Sequence, residues 1–253
     1  MGRKRKSQGK EEEEGEEQRE VSPSTKQLKT NTTTTTTTTV AESSSSSQPQ
    51  PSNPHHGFIS YPPSKVYRLI EPGPVLLVTT GSLADATHNV MTIGFHMVMQ
   101  HESPPLLGIC LGPWDASFAA LKKRRECVLA VPSVEMAGVV VDVGNCSADD
   151  DEMTSGGKWQ RFGLEALPAA KVQAPLVGGP DVIANIECVV EDTKMVGKYS
   201  MWVLQPVKAW INPDKKPGEG GKMFHHRGDG TFVVDGDVLD LKDRMVKWQE
   251  YQD

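Results

Sequence analysis

The sequence predicts a mainly β domain of the barrel type, with a few short helices and a disordered N-terminal tail. Short apolar runs rich in β-branched residues recur between residues 74 and 234, separated by turn residues, which is typical of strands. They do not alternate with long helical patterns, so a barrel is favoured over a parallel sheet of βαβ units. Residues 1–56, by contrast, have almost no apolar side chains. We therefore expect a low-complexity tail at 1–56 and one folded domain at 57–253.

Low-complexity tracts fill the predicted tail, including threonine at 32–39 and serine at 43–47. This tail holds eight basic and eight acidic residues, so the chain's net charge of -6 falls on the folded domain. Nucleic-acid-binding domains usually present a basic face, and we therefore expect no nucleic-acid partner.

The sequence gives no sign of a membrane span or a metal site. No apolar run approaches the roughly 18 residues that a span requires, and no apolar segment follows the basic start as in a signal peptide. The four cysteines form no C-x-x-C pair, and no histidine spacing beside them is typical of zinc. We expect reduced thiols and a cytoplasmic protein, while the basic residues 3–6 leave a nuclear or organellar location open.

The first two predicted strands carry the most information. Residues 74–80 form a short apolar run that indicates a buried strand. Residues 90–100 are predicted to form the next strand, with alternating faces. One face is apolar and belongs in a core: Met91, Ile93, Phe95, Met97 and Met99. The other face is mostly polar around a glycine: Thr92, Gly94, His96, Val98 and Gln100. This second face fits close approach by a ligand, but the pattern alone favours an ordinary solvated face of an antiparallel sheet.

The remaining elements follow in order. Residues 106–111 indicate a strand, and 112–117 a turn into a helix with Asp115 as its N-cap. Residues 127–131, 182–190, 199–211 and 231–234 indicate further strands, and Pro206 marks an edge or a bulge. Residues 139–143 fit either a helix or a strand. Three apolar side chains should anchor the segment around them to the core, namely Trp159, Phe162 and Leu164. The end of the chain, 238–251, has the spacing of an amphipathic helix.

Several catalytic and phosphate-binding motifs are absent. The chain has no G-x-G-x-x-G and no G-x-x-x-x-G-K-[ST], so any nucleotide would be held without a standard phosphate loop. It also has no G-x-S-x-G, which argues against a hydrolase of that type. No catalytic residue is assigned from the sequence.

Taken in order, five segments resemble the flavin reductase-like family, which includes the flavoredoxins and the ferric-reductase-like FMN proteins. The resemblance extends over roughly residues 65–250. The segments are PVLLVTT at 74–80, NVMT at 89–92, PPLLGI at 104–109, ECVLAVP at 126–132 and ANIEC at 184–188. Each motif is loose, and their shared order and spacing make the match specific at the level of the family.

The resemblance implies a split β-barrel of Greek-key type that holds FMN without a covalent bond. It also implies a homodimer with the flavin near the subunit interface. The strand at 89–96 would run along the flavin ring and the turn at 113–117 would take the phosphate, where a helix start offers free N–H groups. The cofactor-binding residues expected from it are Asn89, Met91, Thr92, Gly94, His96, Trp114 and Ser117.

Two positions depart from the family pattern. Asp115 puts a carboxylate near the expected phosphate, which is tolerable if the side chain points away. Where the family often has Gly-Asp-His, this chain has Gly197-Lys198-Tyr199, so a histidine expected near the flavin is missing. His225 and His226 could replace it or could be ordinary loop residues.

These features leave three functions open. In the first, NADH or NADPH passes hydride to bound FMN and the electrons go on to a further acceptor, which could be a protein. In the second, the protein is a flavoredoxin-like electron carrier that holds FMN but has no nicotinamide site of its own. In the third, the cleft is that of a split barrel that binds no flavin.

Overall fold

In a computed structural model, the described residues are 61, 62, 64, 69, 73–148, 150 and 157–244. The predicted tail at 1–56, and residues 245–251 of the predicted terminal helix, lie outside them. Residues 238–241 belong to no helix, and a single 3-10 turn follows at Lys242–Arg244.

Eleven strands and four short helices make up the described part of the chain. The strands are β1 Leu76–Thr80, β2 Asn89–Ile93, β3 His96–Gln100, β4 Leu106–Cys110, β5 Glu126–Pro132, β6 Ala166–Leu167, β7 Leu176–Val177, β8 Val182–Asp192, β9 Met201–Ile211, β10 Phe224–His226 and β11 Phe232–Val234. The helices are α1 Ser117–Arg124, α2 Ala137–Gly144, α3 Gly157–Arg161 and α4 Val196–Tyr199. None of the helices in the described ranges is long and apolar enough to cross a bilayer.

Seven of the strands form one antiparallel sheet in the order β2-β1-β5-β8-β9-β4-β3. β2 and β3 are the two opposite edges of this sheet, yet only Gly94 and Phe95 separate them along the chain. A two-residue link can join both edges only if the sheet curls round on itself. The result is a half-barrel with a seam at Gly94, which confirms the split-barrel class predicted from the sequence.

This seam corrects the predicted strand at 90–100. β2 ends at Ile93 and β3 begins at His96, so the two halves of the predicted strand pair with different partners. Met91 and Ile93 contact the core as predicted, but Phe95, Met97 and Met99 are 59%, 47% and 40% exposed. Strict alternation assigned them to the core because it could not show that the chain changes edges at the glycine.

The core lies on both sides of β1, because all five residues of this strand are buried. Leu76 and Val78 pack with Leu129 and Trp202 inside the curled sheet. Leu77 faces the opposite side, where α2 and α3 cover the sheet with apolar side chains that include Trp159. Phe162 and Leu164 pack against the same cluster, which confirms the three predicted anchors.

The smaller elements resolve the remaining sequence predictions. The ambiguous run at 139–143 is helical and lies within α2. Pro206 faces Cys188 at a shift in the β8–β9 register, so it marks the predicted bulge. Asp115 is not the N-cap of α1: the helix begins at Ser117 and Ala116 occupies the cap position without a side-chain bond.

Candidate functional site

Two adjoining cavities follow the seam of the half-barrel. The first cavity, about 320 Å³, lies between β2, the turn before α1, the end of α2 and α3. The second cavity, about 510 Å³, continues past Gly94 to the end of α4. Both are lined by Met91, Thr92, Trp114 and Asp115. Together they form a cleft within the size range of small-molecule sites.

The start of α1 forms one end of the first cavity. Ser117, the first residue of the helix, is buried, and its hydroxyl accepts a hydrogen bond from Asn89 Nδ2 at 2.9 Å. The first N–H groups of a helix have no partner within the helix and carry a partial positive charge. The amide of Asn89 therefore fixes a hydroxyl at a place where an anion is favoured.

A lysine that the sequence analysis did not single out lies across the same cavity. Lys158 on α3 is only 4% exposed, and its ammonium donates to the carbonyl oxygen of Val143 at 3.0 Å. Burial lowers the pKa of Lys158, and the nearby Cys146, Asp150 and Asp115 oppose that change. Through this bond, the positive charge of Lys158 offsets the partial negative charge at the C-terminal end of α2, which also lines this cavity. An ammonium has three donors, so the group can also contact an anionic ligand.

Thr92 lines both cavities but uses its hydroxyl on the protein. Thr92 Oγ1 donates to the carbonyl oxygen of Val140 at 2.6 Å, and its Cβ packs against Gly144. A Cβ added at Gly144 would lie 3.3 Å from Thr92 Cβ, so the glycine permits this close approach. Thr92 therefore seats α2 on β2 and shapes the cleft wall.

The carboxylate of Asp115 is committed to its own turn. Its Oδ2 accepts the backbone N–H of Gly112 at 2.7 Å, and its backbone carbonyl accepts the N–H of Phe118 at 2.8 Å. The side chain closes the loop that leads into α1. This interaction reduces, without removing, the conflict between a carboxylate and a nearby phosphate.

The second cavity has a bare patch and an aromatic lining. A Cβ added at Gly94 would meet no atom within 4 Å, so the space above this glycine is open to a ligand. Phe95, Trp114 and Tyr199 come from three different segments and line the same cavity. Lys198 adds a cationic group, with Nζ 4.9 Å from the centre of the Tyr199 ring.

Six of the seven predicted site residues line this cleft, and His96 does not. His96 Nε2 lies 2.6 Å from the carbonyl oxygen of Pro74, and its ring packs on Gly73. Burial lowers the pKa of His96, the bond to Pro74 raises it, and the charge of His225 lowers it further, with a net decrease. The ring therefore fastens β3 to the chain just before β1.

His225 and His226 do not replace the missing histidine. Both lie on β10, outside the linings of the two cavities. His225 Nε2 is 3.0 Å from Asp235 Oδ1, and the His226 ring packs against Phe232. Among the described residues, no group of three or more His, Cys, Asp or Glu is arranged to hold a metal ion.

The donor set fits a phosphorylated ligand with a flat ring system. The first cavity joins an ammonium to the start of a helix, and the second offers open backbone at Gly94 beside aromatic side chains. A family model described as the flavin reductase-like domain matches residues 67–231, well over half of the chain.

The chain belongs to the flavin reductase-like family. It is 31% identical over 137 residues to an uncharacterised protein of Pyrococcus abyssi, a match that covers 54% of this chain and 73% of that protein. Solved structures share the fold. An FMN-binding domain of a flavin reductase-like enzyme from Shewanella baltica has a TM-score of 0.57 at 23% identity, covering 70% of this chain and 93% of that one. The flavoredoxin of Desulfovibrio vulgaris has a TM-score of 0.56 at 18% identity, covering 67% and 90%.

Proposed function

We propose that this flavin reductase-like protein binds FMN non-covalently along the seam and passes electrons from NADH or NADPH through it to a further acceptor. One observation carries the proposal: a buried ammonium and the start of α1 line a cavity that opens directly onto the bare backbone at Gly94. The ammonium and the start of α1 suit a phosphate, and the open backbone at Gly94 suits a flat ring.

The roles of the residues follow from their contacts. Lys158 and the start of α1 would bind the phosphate, and Asn89 would orient the hydroxyl of Ser117 towards it. Met91 and Gly94 would border the ring, and Trp114 would cover the junction of the two cavities. FMN, when bound, supplies the two-electron chemistry. The protein then needs to hold and orient two rings rather than supply an acid or a base.

An electron carrier without a nicotinamide site is the second candidate. Lys198 and Tyr199 stand where the family often has the acidic residue and the histidine of Gly-Asp-His, and neither can act as that histidine. Names among the structural relatives include both a flavin reductase-like enzyme and a flavoredoxin, so relatives of both kinds share the fold.

We further propose that two copies associate through the exposed edge strand β3. Phe95, Met97, Val98 and Met99 present apolar side chains at an edge of the sheet, and Val98 is 72% exposed. An apolar edge strand of this kind is normally covered by a partner. The four cysteines are free thiols, which agrees with the reducing cytoplasm that we propose as the location.

The experiment is an anaerobic titration of the FMN-loaded full chain with NADH and, separately, with NADPH. Rapid bleaching of the flavin absorption by one of them would identify a reductase and its donor. Retained absorption with no bleaching by either would contradict the reductase function and leave the electron carrier. If no flavin is retained at all, both functions are wrong for this chain, and the protein is a split barrel that binds no flavin.

A further inference from the structure

We propose that Cys127 on β5 and Cys188 on β8 form a redox-active thiol pair, which hydrogen peroxide oxidises to a reversible disulfide. Both side chains lie in the core inside the curled sheet, and neither lines the two cavities of the cleft. The inference therefore goes beyond the proposed function and does not depend on flavin binding. In the structure the pair is reduced, since both residues are free thiols.

The strand register brings the two cysteines together. β5 and β8 are antiparallel neighbours, and Cys127 is the direct partner of Cys188, with no shift in register beside this pair. Direct partners in an antiparallel sheet have Cα atoms about 4.5–5.5 Å apart, within the range of about 4.4–6.8 Å that a disulfide requires. Their side chains also lie on the same face of the sheet. The two sulfur atoms can therefore be joined without a change in strand pairing.

The surroundings of the pair suit two neutral thiols. Both side chains are fully buried, and the Cys188 thiol lies within hydrogen-bonding reach of Cys127. This contact, burial and the nearby charge of Glu126 all raise the pKa of the Cys127 thiol. Cys127 therefore stays uncharged near neutral pH, in an apolar cluster that includes Leu129 and Trp202.

Hydrogen peroxide is a suitable oxidant because it is small and uncharged, so a brief local opening of the sheet admits it to the core. In the first step one thiol attacks the peroxide. The O–O bond breaks, the sulfur becomes a sulfenic acid and one water leaves. In the second step the other thiol attacks that sulfur. The S–S bond forms, the S–O bond breaks and a second water leaves, so the two thiols pass two electrons to one peroxide.

The disulfide would close a long loop of the chain. The segment between the two cysteines contains α2 and α3, and with them the Lys158 side chain that lines the first cavity. A disulfide that joins the ends of so long a segment restricts the unfolded chain more than the folded one. We therefore expect oxidation to raise the Tm by roughly 5–10 °C. In reducing compartments, disulfides that form transiently are typical of redox sensing.

Peptide mapping of the oxidised full chain tests the pair directly. The chain is treated with hydrogen peroxide, its remaining thiols are blocked with N-ethylmaleimide in denaturant, and a glutamate-specific protease then digests it. Cleavage after Glu135 puts Cys127 and Cys146 on different peptides, so mass spectrometry can identify the partner of Cys188. We expect a linked pair of the Cys127 and Cys188 peptides, lighter than the two free peptides by two hydrogen atoms and absent after treatment with dithiothreitol.

Thermal melting of variants provides a second measurement. Cys188→Ala leaves Cys127 without a partner, so peroxide should no longer raise the Tm of this variant. Cys146→Ala is the matched control and should respond to peroxide as the wild type does, because the Cys146 thiol is partly exposed and donates to the carbonyl oxygen of Asp142. If Cys188→Ala does not fold, peptide mapping of the wild type decides alone.

The outcomes separate this proposal from FMN binding. Oxidation of Cys110 and Cys146 with full recovery of Cys127 and Cys188 as maleimide adducts would overturn it. A peroxide-dependent rise in Tm that persists in Cys188→Ala would also overturn it. Because no step involves a flavin, a chain that takes up no FMN but forms this disulfide would support the thiol pair while contradicting the proposed function.

Discussion

At the scale of single residues, the phosphate end of the cleft depends on Lys158. Its ammonium is nearly buried and donates to the carbonyl oxygen of Val143. A buried cation is unfavourable unless it is paired, and an anionic ligand would complete the pairing. The residue lies in the segment that connects α2 to β6, whose position against β2 depends on tertiary packing. The apolar pattern of the sequence identifies Trp159 as an anchor of this segment. The same pattern does not indicate that the neighbouring Lys158 lines the cleft.

Replacing Lys158 by methionine should weaken FMN binding by roughly 10- to 100-fold, the value of a charge-assisted hydrogen bond. Riboflavin, which lacks the phosphate, should bind the wild type and the variant with similar affinity. Fluorescence titration with both flavins provides the measurement. Lys194→Met serves as the control for loss of one lysine. A proportional loss of riboflavin and FMN affinity would mean that the substitution disturbs the ring end or the fold.

The pH dependence of FMN binding follows from the same group. Burial lowers the pKa of Lys158 from its ordinary value of 10.5, so the free protein loses this positive charge at a lower pH than an exposed lysine would. FMN affinity should therefore fall as the pH is raised towards and through that lowered pKa. Lys158→Met should show no such fall in the same titration, because it has no proton to lose.

His96 and Thr92 show how far single residues could be predicted. The sequence places both on one polar strand face. In the structure, both side chains form hydrogen bonds with backbone carbonyl groups of the protein. Thr92 nevertheless lines the cleft together with Asn89, Met91, Gly94, Trp114 and Ser117, and contact of these residues with a cofactor stays a prediction. A strand pattern specifies which side of the strand a residue occupies, but it does not specify which backbone carbonyl will lie within reach of a hydroxyl or an imidazole.

At the scale of elements, the contact between β2 and α2 sets the width of the cleft. Thr92→Val removes the hydrogen bond to Val140 at nearly constant size and should destabilise the protein by about 1 kcal/mol. FMN affinity should change by less than roughly threefold, because the hydroxyl faces the helix. Thermal melting and flavin titration measure the two effects, and Thr92→Ser, which keeps the hydroxyl, is the control. A loss of FMN affinity without a loss of stability would restore the flavin-facing interpretation.

A second element contact is made by a buried carboxylate on β8. Glu187 accepts the backbone N–H groups of Ala170 and Val172 and the indole N–H of Trp210, at 3.0, 3.2 and 2.7 Å, and also the N–H of Lys171. Burial raises the pKa of Glu187, but these donors together lower it below its ordinary value of 4.5. The charged group therefore holds the loop before β7 against β8 and β9.

Glu187→Gln should lower the free energy of unfolding by roughly 1–3 kcal/mol at neutral pH, because an amide replaces one acceptor oxygen with a donor. A lowered pKa stabilises the folded state above pH 4.5, and this stabilisation is lost as the pH falls through the folded-state value. The difference in melting temperature between wild type and variant should therefore narrow below pH 4.5. A constant difference down to pH 3 would show that the charge of Glu187 does not contribute.

At the scale of the whole molecule, the cleft exists because the sheet is curled and its edges meet. The sequence predicts most of the long strands, because their positions coincide with its apolar runs. These strands are β1, β4, β5, β8 and β9. It does not predict the seam, because strand order depends on pairing between segments that are distant along the chain. The family resemblance supplied that missing topology.

The exposed edge strand β3 leads to a prediction about dimer formation. Met97→Glu places a charge in the middle of the apolar edge and should convert a dimer into a monomer, with little effect on the fold because the side chain is already 47% exposed. Analytical ultracentrifugation measures the mass of wild type and variant. Lys194→Glu, which reverses the charge of an exposed side chain elsewhere, is the control. A wild type that sediments as a monomer would contradict the proposed interface.

An absorption spectrum shows whether the cleft at the seam holds FMN. The full chain is incubated with FMN, desalted, and its absorption recorded alongside the Lys158→Met variant. We predict that wild type keeps close to one flavin per chain, with bands shifted from those of free FMN, and that the variant keeps much less. Loss of all flavin from the wild type on desalting, with no change in protein fluorescence on adding FMN, would mean that the cleft does not hold FMN.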